Sequence, residues 1–230
     1  MIFGPEQQLI LPIPENERSD FEHFYVSKSN LRMITQLKAL TQGDHILLIG
    51  PEGAGCSHLL KACCFNHPSL NTMYIPLKLL NELSVNSIKD LQNVDLIALD
   101  DFEQTQTDIL WQEALFELIN HCKRHNITLI IGGHDFGGHL KLWKDLYTRL
   151  QGMLLLNVTK LTGEDIQHAL EAFLATRDLN CSSQIIAYLI KYISRDFAVL
   201  KELLLGFDAY CMQRKSNMSM HELRTYLRRP

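Results

Sequence analysis

Long apolar runs are missing from these 230 residues: none approaches the roughly 18 needed to span a membrane. The first residues, MIFGPEQQL, have neither a basic start nor an apolar core, so no secretory leader is read there. Six cysteines are present but no CxxC pair, which argues against a zinc ribbon or a redox dithiol and fits a reducing, cytoplasmic setting. His134 and His139 flank Asp135, yet this spacing matches no metal-ligand pattern. A basic excess is also lacking. The net charge is −4, whereas a stand-alone nucleic-acid binder usually carries a strong positive surplus, so no strong direct binding of DNA is expected. Cations gather toward the C-terminus, where Arg214, Lys215, Arg224, Arg228 and Arg229 face Glu222 alone. The C-terminal end of a last helix favours such cations.

What is present is ordinary globular composition, 46% hydrophobic and 21% charged, on a chain long enough to bury a core without staples. Residues 1–18 read as an extended tail, because Pro5, Pro12 and Pro14 break any helix. Leu31, Ile34, Leu37 and Leu40 then recur at helical spacing. Five short apolar runs follow: 45–50, 72–77, 95–101, 127–133 and 153–158. They alternate with helical segments at 57–65 and 108–124, the pattern of a parallel sheet covered on both faces. After about Leu161 no strand signal returns, and helices are expected at 163–175, 182–193, 196–213 and 219–228. Thr162 and Asp165 have the spacing of a capping box. The fold class is therefore α/β, a five-stranded parallel sheet sandwiched by helices over 19–160, with an all-helical unit over 161–230.

Two elements carry phosphate chemistry. The first strand runs into Gly50-Pro51-Glu52-Gly53-Ala54-Gly55-Cys56-Ser57, which matches the phosphate-loop pattern GxxxxGK[ST] except that Cys56 stands at the lysine. Glycines let backbone amides face a phosphate, and the helix that follows adds its positive end. A thiol cannot supply the lysine's charge to the β- and γ-phosphates. Diphosphate binding should survive that change better than triphosphate hydrolysis, with Ser57 still available for magnesium. The second element is the strand Leu96–Leu99 ending in Asp100-Asp101. It delivers two carboxylates to the strand end where ligands bind in such sheets. Asp100 would hold magnesium and Asp101 would orient an attacking water. Asp135 ends the next apolar strand, and Arg149 precedes the last.

Together these residues resemble the AAA+ module of the DnaA-related family. GPEGAGCSHLLKA is similar to its Walker A region, and Leu110–Leu118 to the helix after Walker B. Phe21–Val26 with Ser29-Asn30 resembles the segment that cups the base. The resemblance assigns Phe24 and Val26 to the base and Gly50, Gly53, Ala54, Gly55, Cys56, Ser57 and His58 to the phosphates. It makes Asp135 the sensor-1 residue, Arg149 an arginine finger, and the helical unit a lid. No helix-turn-helix segment for reading DNA follows the lid, as expected of the family's short regulatory members rather than of the initiator. Gln8-Leu9-Ile10-Leu11-Pro12-Ile13 resembles the peptide by which such regulators bind the sliding clamp of DNA polymerase III. This peptide includes Leu9; Leu11 and Ile13 are apolar anchors, Pro12 keeps the segment extended, and Gln8 offers an amide for a polar subsite; a pre-extended peptide loses less entropy on docking.

The implied cofactor is ADP or ATP, with magnesium, in a weakened site. Implied partners are DnaA, the clamp and further copies of this chain. A second departure from the family is Ala198, which stands where a sensor-2 arginine is expected. Two other readings of the same residues stay open: a helicase loader or other single-stranded-DNA-linked ATPase, and a nucleotide-free scaffold.

Overall fold

The apolar runs form five parallel strands: β1 (His45–Ile49), β2 (Thr72–Pro76), β3 (Leu96–Asp100), β4 (Thr128–Gly133) and β5 (Leu154–Asn157), side by side in the order β2-β3-β4-β1-β5. This is a computed structural model, and it describes residues 19–79, 84–88, 91, 93–134, 136 and 140–228. Side chains alternate across a strand, and the two faces sort accordingly. Leu47, Ile49, Ile97, Leu99, Leu129 and Ile131 belong to one core. Ile46, Leu48, Leu96, Ala98 and Ile130 belong to the other. The first core is closed by α3 (Ile109–His125) through Trp111, Leu115 and Leu118. The second is closed by α1 (Leu31–Lys38) and α2 (Cys56–Phe65) through Met33, Leu37, Leu59 and Leu60. Central strands covered on both faces have no polar face, which is why β3 and β4 read as unbroken apolar runs.

The edge strand β5 departs from the expectation of full cover. Leu154 and Leu155 are 50% and 47% exposed, and Leu156 carries the packing. An edge strand has one neighbour, and here its own helices leave part of it open.

Local signals set the helix limits. Asp108 caps α3 by accepting the Leu110 and Trp111 amides, and a left-handed Asn126 (φ 56°) ends it. A short helix, α4 (Lys144–Gln151), lies between β4 and β5. The helical unit comprises α5 (Glu164–Ala175), α6 (Ser183–Tyr192), α7 (Phe197–Arg214) and α8 (Met220–Leu227), packed around Leu170, Ile186, Leu204 and Phe207. The capping box expected at Thr162 and Asp165 does not form. Gly163 occupies the cap of α5 with no side-chain bond, and the Asp165 carboxylate instead accepts the Tyr25 hydroxyl at 3.4 Å. Asn30 is fully buried and bonds the backbone of Thr159 in both directions, at 2.7 and 2.8 Å. That pair fixes the segment before α1 to the chain leaving β5. Among the described residues no helix is long and apolar enough to cross a membrane.

Candidate functional site

The glycine loop sits between β1 and α2, as the strand–loop–helix order requires. Gly53 and Gly55 have φ of +77° and +100°, where a side chain would be strained. A Cβ at Gly50 would lie 2.7 Å from the Val158 carbonyl oxygen, so the loop can cross the chain leaving β5 only with glycine there. Gly55 caps α2 without a side-chain bond. First-turn helix amides are otherwise unpaired, so they remain for an anion. Ala54 is buried under the loop.

Cys56 is 4% exposed, and its thiol donates a weak bond to the Gly50 carbonyl at 3.9 Å. Burial pushes the thiol pKa up to about 12, and the charges of Asp100, Glu103 and Asp101 add to the shift. The group is a neutral thiol at neutral pH, and the loop has no cation at this position. The half-buried Ser57 hydroxyl makes no hydrogen bond among the described residues.

Beside the loop, β3 ends in a buried acidic group. Asp100 is 1% exposed and already engaged: Oδ2 accepts the Tyr74 hydroxyl at 2.6 Å, and Oδ1 accepts the Asp101 amide at 3.0 Å. A magnesium ion on Asp100 would have to share or displace Tyr74. Burial and then the Asp100 charge raise the Tyr74 hydroxyl far above its usual range, so it stays a donor. Asp101 has a left-handed backbone (φ 57°), and its Oδ1 is 3.4 Å from His134 Nε2. Glu103 faces the same ring at 3.7 Å and accepts the His134 amide through its other oxygen. Burial raises both carboxyl pKa values. Asp100 pushes Asp101 further up, and Lys78 and His134 pull it back. Asp135 falls outside the described residues.

A cleft of about 450 Å³ opens between the segment before α1 and the helical unit, lined in part by Phe24, Val26, His58, Phe173, Phe197 and Lys201. Phe24 lies over the loop end, since a Cβ at Gly55 would be 2.8 Å from its ring. His58 Nε2 is 2.8 Å from the Asp20 carbonyl oxygen. Burial lowers its pKa, so it is neutral and donates there. Ala198 is exposed in the first turn of α7. Lys201, one turn on, reaches the cleft, whereas Arg195 is not among its lining residues.

The loop is also tied to the helical unit. Lys160 Nζ donates to the Glu52 carbonyl at 2.9 Å and to Asp196 Oδ2 at 2.5 Å. Asp196 in turn caps α7 by accepting the Ala198 and Val199 amides. Arg149 lies apart from all this. It is exposed on α4, its guanidinium 5.5 Å from the centre of the Phe116 ring. Gln112 holds the approach to α4: its amide donates to the Lys141 carbonyl and accepts the Trp143 amide at 2.6 Å. The structure thus brings Phe24, Val26, His58, the glycine loop, Asp100 and Asp101 around one cleft and loop, and leaves Arg149 on a free face. The peptide of residues 8–13 lies outside the described residues.

Four residues near the loop were not legible as site residues: Tyr74, Glu103, Lys160 and Asp196. Tyr74 meets Asp100 only through strand pairing: it lies opposite Ala98 and so shares a face with Asp100 two residues on.

No family model matches the chain. An uncharacterized protein of Haemophilus influenzae is 26% identical over 223 residues, covering 93% of this chain and 95% of its own length. Domain III of the replication initiation protein DnaA from Thermotoga maritima superposes with a TM-score of 0.79 at 20% identity, covering 89% of this chain and 93% of that one. AMPPCP-bound DnaA from Aquifex aeolicus gives 0.70 at 20% identity, over 86% and 68%. The Holliday junction branch migration motor RuvB of Thermotoga maritima gives 0.65 at 14% identity, over 90% and 70%. The fold is the AAA+ P-loop fold shared by DnaA and RuvB.

Proposed function

We propose that this chain is a regulatory relative of DnaA that restrains replication initiation by stimulating hydrolysis of the ATP bound to DnaA. One observation carries the reading. The loop lacks its own cation, with a buried neutral thiol at Cys56, while Arg149 stands exposed on α4 and free to act on another subunit. A site of this kind retains nucleotide better than it turns it over. The glycine backbone, the start of α2 and Ser57 fit a diphosphate. The cleft beside Phe24 and Val26 fits a base, with His58 at the boundary between them. At the position of the motif's lysine the loop offers the γ-phosphate only the Cys56 thiol. ADP is therefore the expected ligand, and with magnesium bound Ser57 and Asp100 are the residues to hold it. AMPPCP-bound DnaA, of the same fold, supports nucleotide binding.

In this reading residues 161–230 form a lid on the nucleotide, and residues 1–18 are a tether whose segment Gln8–Ile13 docks on the sliding clamp. Tethering raises local concentration without new contacts. Arg149 is offered in trans to the phosphates on DnaA, where an arginine finger is worth roughly 10³–10⁵ in rate. Asp101 stays with this chain's own loop and orients water there. The test is Arg149→Ala. Its surface position predicts an unchanged fold and unchanged clamp binding, with stimulation of DnaA lost; stimulation equal to the unaltered chain would discard the role.

A nucleotide-free scaffold is the second reading, favoured by the Asp196 carboxylate, which lies 2.9 Å from where a Gly53 Cβ would be. That carboxylate holds Lys160, whose Nζ lies 3.3 Å from the same point, so the pair brings the loop no net positive charge for a phosphate. Retention of nucleotide through purification decides against the scaffold.

A further inference from the structure

The acidic group behind the loop gathers three potential metal ligands whose mutual contacts are long for hydrogen bonds. Asp101 Oδ1, Glu103 Oε1 and His134 Nε2 all lie within 4.8 Å of one another. The imidazole nitrogen is 3.4 Å from the first oxygen and 3.7 Å from the second, both beyond a good N–H···O distance. Two atoms each about 2.0–2.1 Å from one tetrahedral ion stand about 3.4 Å apart. The 3.4 Å spacing matches that value and the 3.7 Å spacing lies close to it. Glu103 supplies a separate sign. Its Oε2 takes the His134 amide, while Oε1 is buried and accepts no hydrogen bond among the described residues. An unpaired buried carboxylate oxygen is costly unless a cation meets it. Cys56 supplies no charge where the motif places lysine, and Lys78 acts on Asp101 through space without an ion pair to Glu103 among the described residues.

We propose that Asp101, Glu103 and His134 form a binding site for a divalent first-row transition ion of the Zn²⁺ type. Two carboxylate oxygens with an imidazole nitrogen suit such an ion. Mg²⁺ prefers an all-oxygen octahedral shell and is disfavoured. The site is distinct from the magnesium position at Ser57 and Asp100 and does not depend on the regulatory reading. Three protein ligands leave a position for water, and His134 is 41% exposed on its side chain, so an ion can enter.

The test uses the full chain without a histidine tag, stripped by a chelator and titrated with Zn²⁺ against a chromogenic competitor in a large excess of Mg²⁺. One ion binds per chain. His134→Ala and Glu103→Gln each weaken binding by more than about tenfold, and the metal-free His134→Ala protein melts as the unaltered chain does. A close histidine pair elsewhere, His121 and His125 on α3 with rings 4.4 Å apart, serves as the control; replacing both leaves the affinity unchanged. Absence of binding, loss of Zn²⁺ to Mg²⁺, or full affinity in both single variants overturns the proposal.

Discussion

Restoring the missing cation is the sharpest perturbation of this site. Cys56→Lys places an ammonium where a 4%-exposed thiol now feels the charges of Asp100, Glu103 and Asp101. Two effects oppose. The longer side chain must leave a packed position, and overpacking costs about 1–3 kcal/mol. Burial also favours a neutral amine, but three nearby carboxylates favour the charged form and keep the lysine protonated. The gain falls on the ligand. A hydrogen bond to a charged group contributes about 1.5–3 kcal/mol, or roughly 10–100-fold in affinity, and the motif's lysine spends it on the β- and γ-phosphates. The variant should therefore bind ATP up to roughly 10–100-fold more tightly than the unaltered chain does, and ADP, which offers only the β-phosphate, by less, so the ATP-to-ADP ratio rises. Competition against a fluorescent nucleotide reads that ratio, and thermal melting of the unliganded protein reads the packing cost. An unchanged ATP-to-ADP ratio in a folded variant refutes the idea that this cation is what the site lacks.

Other consequences are simpler to measure. Tyr74→Phe leaves the buried Asp100 carboxylate without its 2.6 Å donor and should cost about 1.5–3 kcal/mol in urea unfolding; an unshifted midpoint removes Tyr74 from the account. Burial pushes the Asp196 carboxyl up, but bonds from Lys160 and from the Val199 and Ala198 amides outweigh it and hold the pKa below its ordinary value. A depressed carboxyl stabilises the fold above its unfolded pKa, about 3.9, and that stability is lost as pH falls through the folded value. Urea midpoints should drop below about pH 4, and less so in Asp196→Asn, which keeps a capping oxygen but no charge; identical pH profiles contradict the assignment. Gln112→Ala removes the bonds from α3 to Lys141 and Trp143, so faster amide exchange near Trp143 is expected, with the exchange of β3 unaltered.

Period and punctuation made most of the fold legible. The five strands fall within a residue or two of the apolar runs; β1, β3 and β4, buried almost throughout, have few ways to be written, and the edge strands β2 and β5 keep apolar runs though part of each is open. Helix starts were legible where a side chain caps them, as at Asp108 and Asp196, and misread at Thr162, where Gly163 takes the cap. Motif position singled out Phe24, His58 and Asp101, which lie beside the glycine loop and the strand that delivers Asp100. Pairings between distant segments were not. Lys160 with Asp196, and His134 with Glu103, depend on how loops fold over the strand ends, which no local spacing encodes. The same limit hid the candidate ion site, since its ligands come from the end of β3 and the end of β4.

The central claim is that this chain acts on DnaA from the clamp. It is tested most directly by loading DnaA with labelled ATP and following hydrolysis on clamp-loaded DNA, with the full chain and with a version lacking residues 1–14. Stimulation by the full chain that disappears without the tail is the expected result. No stimulation, with DnaA and clamp shown to be active, would contradict the account.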